Sequence, residues 1–320
     1  MRRALIIAVG GVAALLAADT VLWSWAVGRV EAETALWISQ RRVEGWTVTA
    51  GAAEREGWPF AAKVRLHGVA LTAAPPTTPQ PVVVESGEAL VGVGFLRPRL
   101  LVVRLEGPQA LRVGSLPALE YQTDRSDIRV PLTDDRLPPS IDIAIEVARL
   151  GLASGGELRI GHIDLHADLP SSALPGTTSV TLDAGPADLP PTAALAAIGR
   201  RIDRLQADAA VAPGSFELHE FHLTWGPLSL TAHASLHPDA ARQPAGNGDV
   251  RLIGAAETLD ALVSAGMVAP RAGLATKAVL ALLQRPRPDG TAVVELPLTL
   301  ADGTLQAGRF PIAKLPQFAW

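Results

Sequence analysis

Three pairs of histidines stand close in the chain: His162 with His166, His219 with His222, and His233 with His237, the first pair beside Asp164 and Asp168. Imidazole and carboxylate are metal ligands, and two histidines four apart on a helix can share one zinc. Whether they do so here depends on the element that carries them. "GHIDLHADL" (161–169) alternates Ile163, Leu165, Ala167 and Leu169 with its polar residues, which is the period of a strand. On a strand, positions four apart are about 13 Å from each other, whereas ligands sit about 2 Å from zinc. The His and Asp residues therefore read as the wet face of a sheet, and only a bulge or a cross-strand partner would build a site from them.

Other motifs fail on single residues. "LHEFHL" (218–223) lacks the second histidine of a zincin helix, because position 223 is Leu. "GVGFLR" (92–97) has two glycines of a dinucleotide loop, but Arg97 holds the third position and Pro98 follows. The chain has no nucleophile elbow and no phosphate-binding loop, and it contains no cysteine. No catalytic residue, metal ligand or cofactor is assigned, and the expectation is a protein that is not an enzyme. Scattered carboxylates such as Asp134, Asp135 and Asp183 leave a hydrolase with dispersed residues as the third-ranked alternative.

The elements around these residues are predominantly strands. Alternation marks 63–72, 140–147, 157–169, 179–184 and 228–237, and 29 Gly with 26 Pro punctuate them. "TAVVELPLTLADGTLQAGRF" (291–310) predicts a hairpin turning at Asp302-Gly303. Leu195, Ile198, Ile202 and Leu205 recur at helical spacing and predict a helix over 190–207. A helix pair is expected over 257–284, broken at Ala269-Pro270, with Leu259, Leu262, Val263 and Leu274 available for packing. The proline-rich stretches 73–81 and 136–140 predict loops. The fold class is mainly β (α+β): large antiparallel twisted sheets with about three packing helices, possible as two lobes meeting near 185–212 and enclosing an apolar groove.

Residues 1–28 begin with Arg2 and Arg3 and run uncharged from Ala4 to Ala18, with Asp19 before a second apolar stretch that holds Trp23 and Trp25. This predicts a signal-anchor or transmembrane helix with a cytoplasmic N-terminus, leaving the bulk of the chain in the periplasm. An amphipathic connecting helix over 29–45 and a β-rich domain over 46–320 follow. The net charge of −4 and the absence of a long basic run argue against nucleic acid as a partner.

"REGWPFAAKVRLHGVALT" (55–72) places Trp58, Pro59 and Phe60 directly before an alternating stretch. Pro59 favours an extended Trp58, so the apolar register is expected to begin at Phe60 and run through Ala62, Val64 and Leu66. A break near His67-Gly68 would shift it to Val69 and Leu71. Trp58 and Phe60 either plug the end of the sheet or form an apolar lip for a ligand.

Gly57-Trp58-Pro59-Phe60, the anchor with its tryptophans, and the terminal Asp302-Gly303 hairpin together resemble the bacterial domain-of-unknown-function family 2125. The resemblance spans nearly the whole chain and implies no activity, cofactor or catalytic residue. The alternating strands also resemble those of AsmA-type envelope proteins, whose sheets accommodate lipid. These resemblances and the anchor imply an inner-membrane protein of the cell envelope that binds or handles a lipid or other amphipathic molecule on an apolar sheet face. The alternative is a scaffolding protein that engages envelope partners without a ligand.

Overall fold

The computed structural model describes residues 2–73, 81–114, 116–133, 138–152, 155–170, 176–191, 194–240, 243–286, 292–308 and 310–314, with side chains except at 2–14, 194, 195, 286 and 310. Residues 74–80 and 136–137 of the two proline-rich stretches, together with Asp134 and Asp135, lie outside the described residues. The described residues are mostly strand, and every strand pairing among them is antiparallel; the chain separates into two compact units, 1–138 and 139–320.

In the first unit, α1 (Arg2–Val43) leads to two short strands, β1 (Thr47–Thr49) and β2 (Ala53–Glu56). Both pair with β3 (Ala61–Ala73), β2 near its start and β1 near its end. Next come β4 (Val82–Gly94), β5 (Arg97–Val113) and β6 (Leu119–Pro131), each antiparallel to the one before. Alternation in β3 buries Ala62, Val64 and Leu66 against Val27 of α1, while Lys63, Arg65 and His67 take the opposite face. Gly68 sits at φ +58 and drops out of the pairing between His67 and Val69. Val69 then returns to the core, the shift of register expected there.

Phe60 does not open that register. The amides of Phe60 and Ala61 both donate to the Gly57 carbonyl, so 57–60 curl as a turn and the strand begins one residue later. Phe60 is 81% exposed.

In the second unit β7 (Ser140–Gly151), β8 (Glu157–Asp168) and β9 (Thr178–Ala184) pair in order. The short β10 (Ala187–Asp188) extends the line of β9, and both lie between β8 and β11 (Arg201–Ala212). The sheet continues through β12 (Ser215–Trp225), β13 (Leu228–Pro238) and β14 (Pro244–Ile253). Helices α2 (Ala255–Ser264) and α3 (Pro270–Leu283) come next, followed by β15 (Gln284–Pro286). Finally β16 (Ala292–Ala301) pairs with β14 on one edge and with β15 and β17 (Thr304–Ala307) on the other, and β17 pairs with β18 (Phe310–Lys314).

The predicted turn is present: Asp302 and Gly303 stand at φ +50 and +68, the two positive angles that a tight hairpin of this kind requires. The helix pair is present too, and α3 starts at Pro270. Leu259 is buried as expected, but Leu274 is 72% exposed; the helices instead meet where Gly273 faces Val263, with no room for a Cβ.

The helix expected over 190–207 is replaced by a single 3-10 turn at Ala194–Ala197 and by β11. A bulge between Ile202 and Arg204 accounts for the false helical spacing, since the extra residue adds one to the distance from Ile202 to Leu205. Pairing with β9 and β12 then outweighs local propensity.

α1 is one continuous helix rather than two segments. Among the described residues no helix is long and apolar enough to cross a membrane, and most of the uncharged run 4–18 lies where side chains are not described.

Candidate functional site

Trp58 and Phe60 sit in a turn held from outside the sheet. The Trp23 indole N–H of α1 is shared between the carbonyls of Ala61 at 3.1 Å and Glu56 at 3.4 Å, the two residues that bracket the turn. The Phe60 carbonyl accepts from the Phe95 amide in the β4–β5 hairpin. Trp58 is 49% exposed, so neither ring plugs the sheet. Asp19, one helical turn before Trp23, half buries its carboxylate, and its Oδ2 has no partner among the described residues. Trp23 is the residue that sequence reasoning missed at this turn: its contact spans 38 positions.

Across the polar face of the same sheet, charges are paired between strands. Arg65 binds Glu56 at 2.6 Å and Glu106 at 3.1 Å, and also Glu88. These bonds, that of Glu56 first, push the Arg65 guanidinium pKa up, and the Arg65 hydrogen bond holds the Glu56 carboxyl below its usual range. Asp127 is almost fully buried, with Arg104 and Arg125 each at 2.7 Å and Arg129 at 3.5 Å. Burial alone would raise the Asp127 carboxyl, but the hydrogen bonds from Arg104 and Arg125 overcome it and hold it low. Leu90 lies between these two systems, opposite Arg65 on β3 and Arg104 on β5, and is buried. The face is a lattice of satisfied ion pairs beneath which arginine stems cover a leucine.

His162 and His166 lie where the alternation puts them, and they and His219 meet an Asp on a neighbouring strand, whereas His222 bonds Thr224 on its own strand. His166 bonds Asp142 at 2.6 Å and Asp168 at 3.2 Å, and His162 approaches Asp183 at 3.3 Å. The Asp142 hydrogen bond raises the His166 pKa, and Arg204 holds the Asp183 carboxyl low. His219 bonds Asp208 at 2.8 Å from a bulge that leaves Leu218 and Phe221 facing the other side. Beside it an open depression of about 450 Å³ is lined by His219, His233, Ser235 and Asp249. Among the described residues no three His, Asp or Glu side chains are grouped so as to hold a metal ion.

The opposite face of this unit is continuous and apolar. Cross-strand pairing links Ile143, Leu165, Leu182, Ala207, Phe221, Ala232, Val250 and Leu296, each to the next, from β7 to β16. A second row runs through Ile145, Ile163, Ala184, Leu205, Leu223, Leu230, Leu252 and Val294. All of these are half-buried except Val294, which is buried. Most of the buried residues of this unit gather at one end of the sheet: Trp225, whose indole donates to the Gly199 carbonyl, with Ile198, Leu259 and Val293, whereas Leu300 is buried at the other end. There the 3-10 turn, α2 and α3 close over the strands. Along the rest of its length the apolar face is not packed against α2 or α3, whose strand contacts are with β13 and β16.

The sequence model of one bacterial family matches residues 23–316, from Trp23 through the terminal hairpin. The chain belongs to DUF2125. That family is described as an uncharacterized protein conserved in bacteria. Neither a curated protein nor a solved structure matches the chain, so the likeness to AsmA-type proteins rests on the strand pattern alone. Within this DUF2125 member the most extensive feature is the apolar face from β7 to β16; local alternation marks β7, β8, β9, β13 and β16 but not β11, β12 or β14, and only the register joins them into one surface.

Proposed function

We propose that the protein is a membrane-anchored component of the bacterial cell envelope that holds a lipid or another amphipathic molecule on the apolar face of residues 139–320. The observation that carries this reading is the pair of apolar rows across β7–β16, half-buried and packed against α2 and α3 only at one end. A water-facing sheet of this extent is unfavourable; antiparallel sheets ordinarily pack one face on a core. An acyl chain laid along it removes apolar surface at roughly 0.8 kcal/mol per methylene, so about a dozen methylenes give on the order of 10 kcal/mol before the cost of immobilisation.

Anchoring is supported by Arg2 and Arg3 before the uncharged run 4–18, and by Leu15, Leu16, Val21, Leu22 and Trp25, all exposed on α1. With the basic residues on the cytoplasmic side, the β units lie in the periplasm.

The test is native mass spectrometry of the full chain extracted in mild detergent, with identification of co-purifying lipids. The reading expects bound lipid on the wild type and its loss in Leu182→Asp and Phe221→Asp. Ligand-free wild-type protein from several mild extractions contradicts it.

A further inference from the structure

The end of the first unit at which β3 begins carries an unusual set of exposed side chains. Phe60 is 81% exposed and Leu96, at the tip of the β4–β5 hairpin, 98%. Trp58 and Leu132 are also exposed, the latter just past β6, where its amide donates to the Arg99 carbonyl. Arg97 and Arg99 stand among them, exposed and without an ion-pair partner among the described residues. Strand pairing brings these residues to one edge: Ala61 opposes Gly94, Gly94 opposes Arg97, and Leu100 opposes Pro131.

The direction of α1 identifies what this edge faces. Trp23 is bonded at the first residue of β3, Val27 packs on Ala62, Val64 and Leu66, and Arg42 reaches the Val48 carbonyl beside the end of β3. The helix therefore runs alongside β3 in the same sense, and the residues before Trp23 project past the edge that carries Phe60 and Leu96. Leu15 lies about 12 Å beyond Trp23 along the helix axis. Exposed aromatic and aliphatic side chains interleaved with arginine are the composition of a membrane–water interface, where rings sit at headgroup depth and guanidinium groups meet phosphate.

We infer that this edge, formed by Trp58, Phe60, Leu96 and Leu132 with Arg97 and Arg99, docks on the surface of an anionic bilayer and fixes the first unit upright on the membrane that α1 enters. The turn clamped by Trp23 is thus the shoulder between membrane and sheet. The inference rests on the anchoring proposed above.

Because the chain has no cysteine, single cysteines report cleanly. Full-length protein carrying Phe60→Cys, Leu96→Cys, Leu16→Cys or Leu119→Cys is labelled with an environment-sensitive fluorophore and reconstituted in vesicles of phosphatidylcholine with phosphatidylglycerol. Leu119 is exposed at the far end of the sheet, opposite Leu111, and serves as the water-facing reference. Labels at 16, 60 and 96 are expected to shift to the blue, whereas the label at 119 stays in water. Arg97→Glu with Arg99→Glu is expected to return the label at 96 toward water. A blue shift at 16 with water-like emission at 60 and 96 overturns the docking edge and leaves the anchor standing. Water-like emission at 16 overturns both.

Discussion

The indole N–H of Trp23 meets the carbonyl oxygen of Ala61 at 3.1 Å, joining α1 to the first residue of the first long strand. This hydrogen bond ties the turn 57–60, closed by the Phe60 and Ala61 amides on the Gly57 carbonyl, to the point at which the helix leaves the sheet.

Trp23→Phe replaces the indole by a smaller aromatic ring and removes the donor, leaving the Ala61 carbonyl short of a partner. It is expected to cost about 1 kcal/mol, and Trp23→Ala about 3 kcal/mol, in urea unfolding of the first unit. Equal stability of the Phe variant and wild type would show that the bond contributes nothing.

Asp127→Asn removes the charge that Arg104, Arg125 and Arg129 share. The carboxylate is buried but its arginines are 31% to 43% exposed, so the expected loss is about 2 kcal/mol rather than the full cost of breaking a dry ion pair. The urea midpoint reads it directly.

Local pattern made the fold class legible, with the hairpin at Asp302-Gly303 and the stop before Pro270, because each of these depends on residues adjacent in the chain. The helix over 190–207 was misread because the bulge near Asp203 converts strand spacing into a spacing of three. Phe60 was misread because parity along "WPFAAKV" does not reveal the turn that ends at Phe60. The Trp23 clamp, the Arg65 and Asp127 clusters and the joined apolar rows depend on register between distant strands, which no single stretch encodes.

The pH dependence has two limbs. His166 has its pKa raised in the folded chain, so its contribution is complete below the unfolded value near 6.5 and is lost as pH rises through the folded one. Glu56, Asp127 and Asp183 are lowered, so theirs is present above about pH 4 and is lost as pH falls through their folded values. Stability is expected to decline on both sides, and His166→Gln should flatten the alkaline limb while leaving the acid limb unchanged.

Gly254 begins α2 at φ +72, and a Cβ there would lie 1.8 Å from the Pro227 carbonyl oxygen. Gly254→Ala is expected to cost about 3 kcal/mol and to loosen the helical end of the second unit. Hydrogen exchange over α2 and α3 should rise before exchange in β7–β9 changes.

The central claim is that an acyl chain lies on the face from β7 to β16. The most direct measurement is photocrosslinking of the full-length protein with a phospholipid bearing a diazirine in its acyl chain, with the attached residues located by mass spectrometry. Crosslinks at Leu182, Phe221, Val250 and their row neighbours, lost in Phe221→Asp, are the predicted result; crosslinks confined to α1 and the edge around Phe60, with none in 139–320, would contradict it.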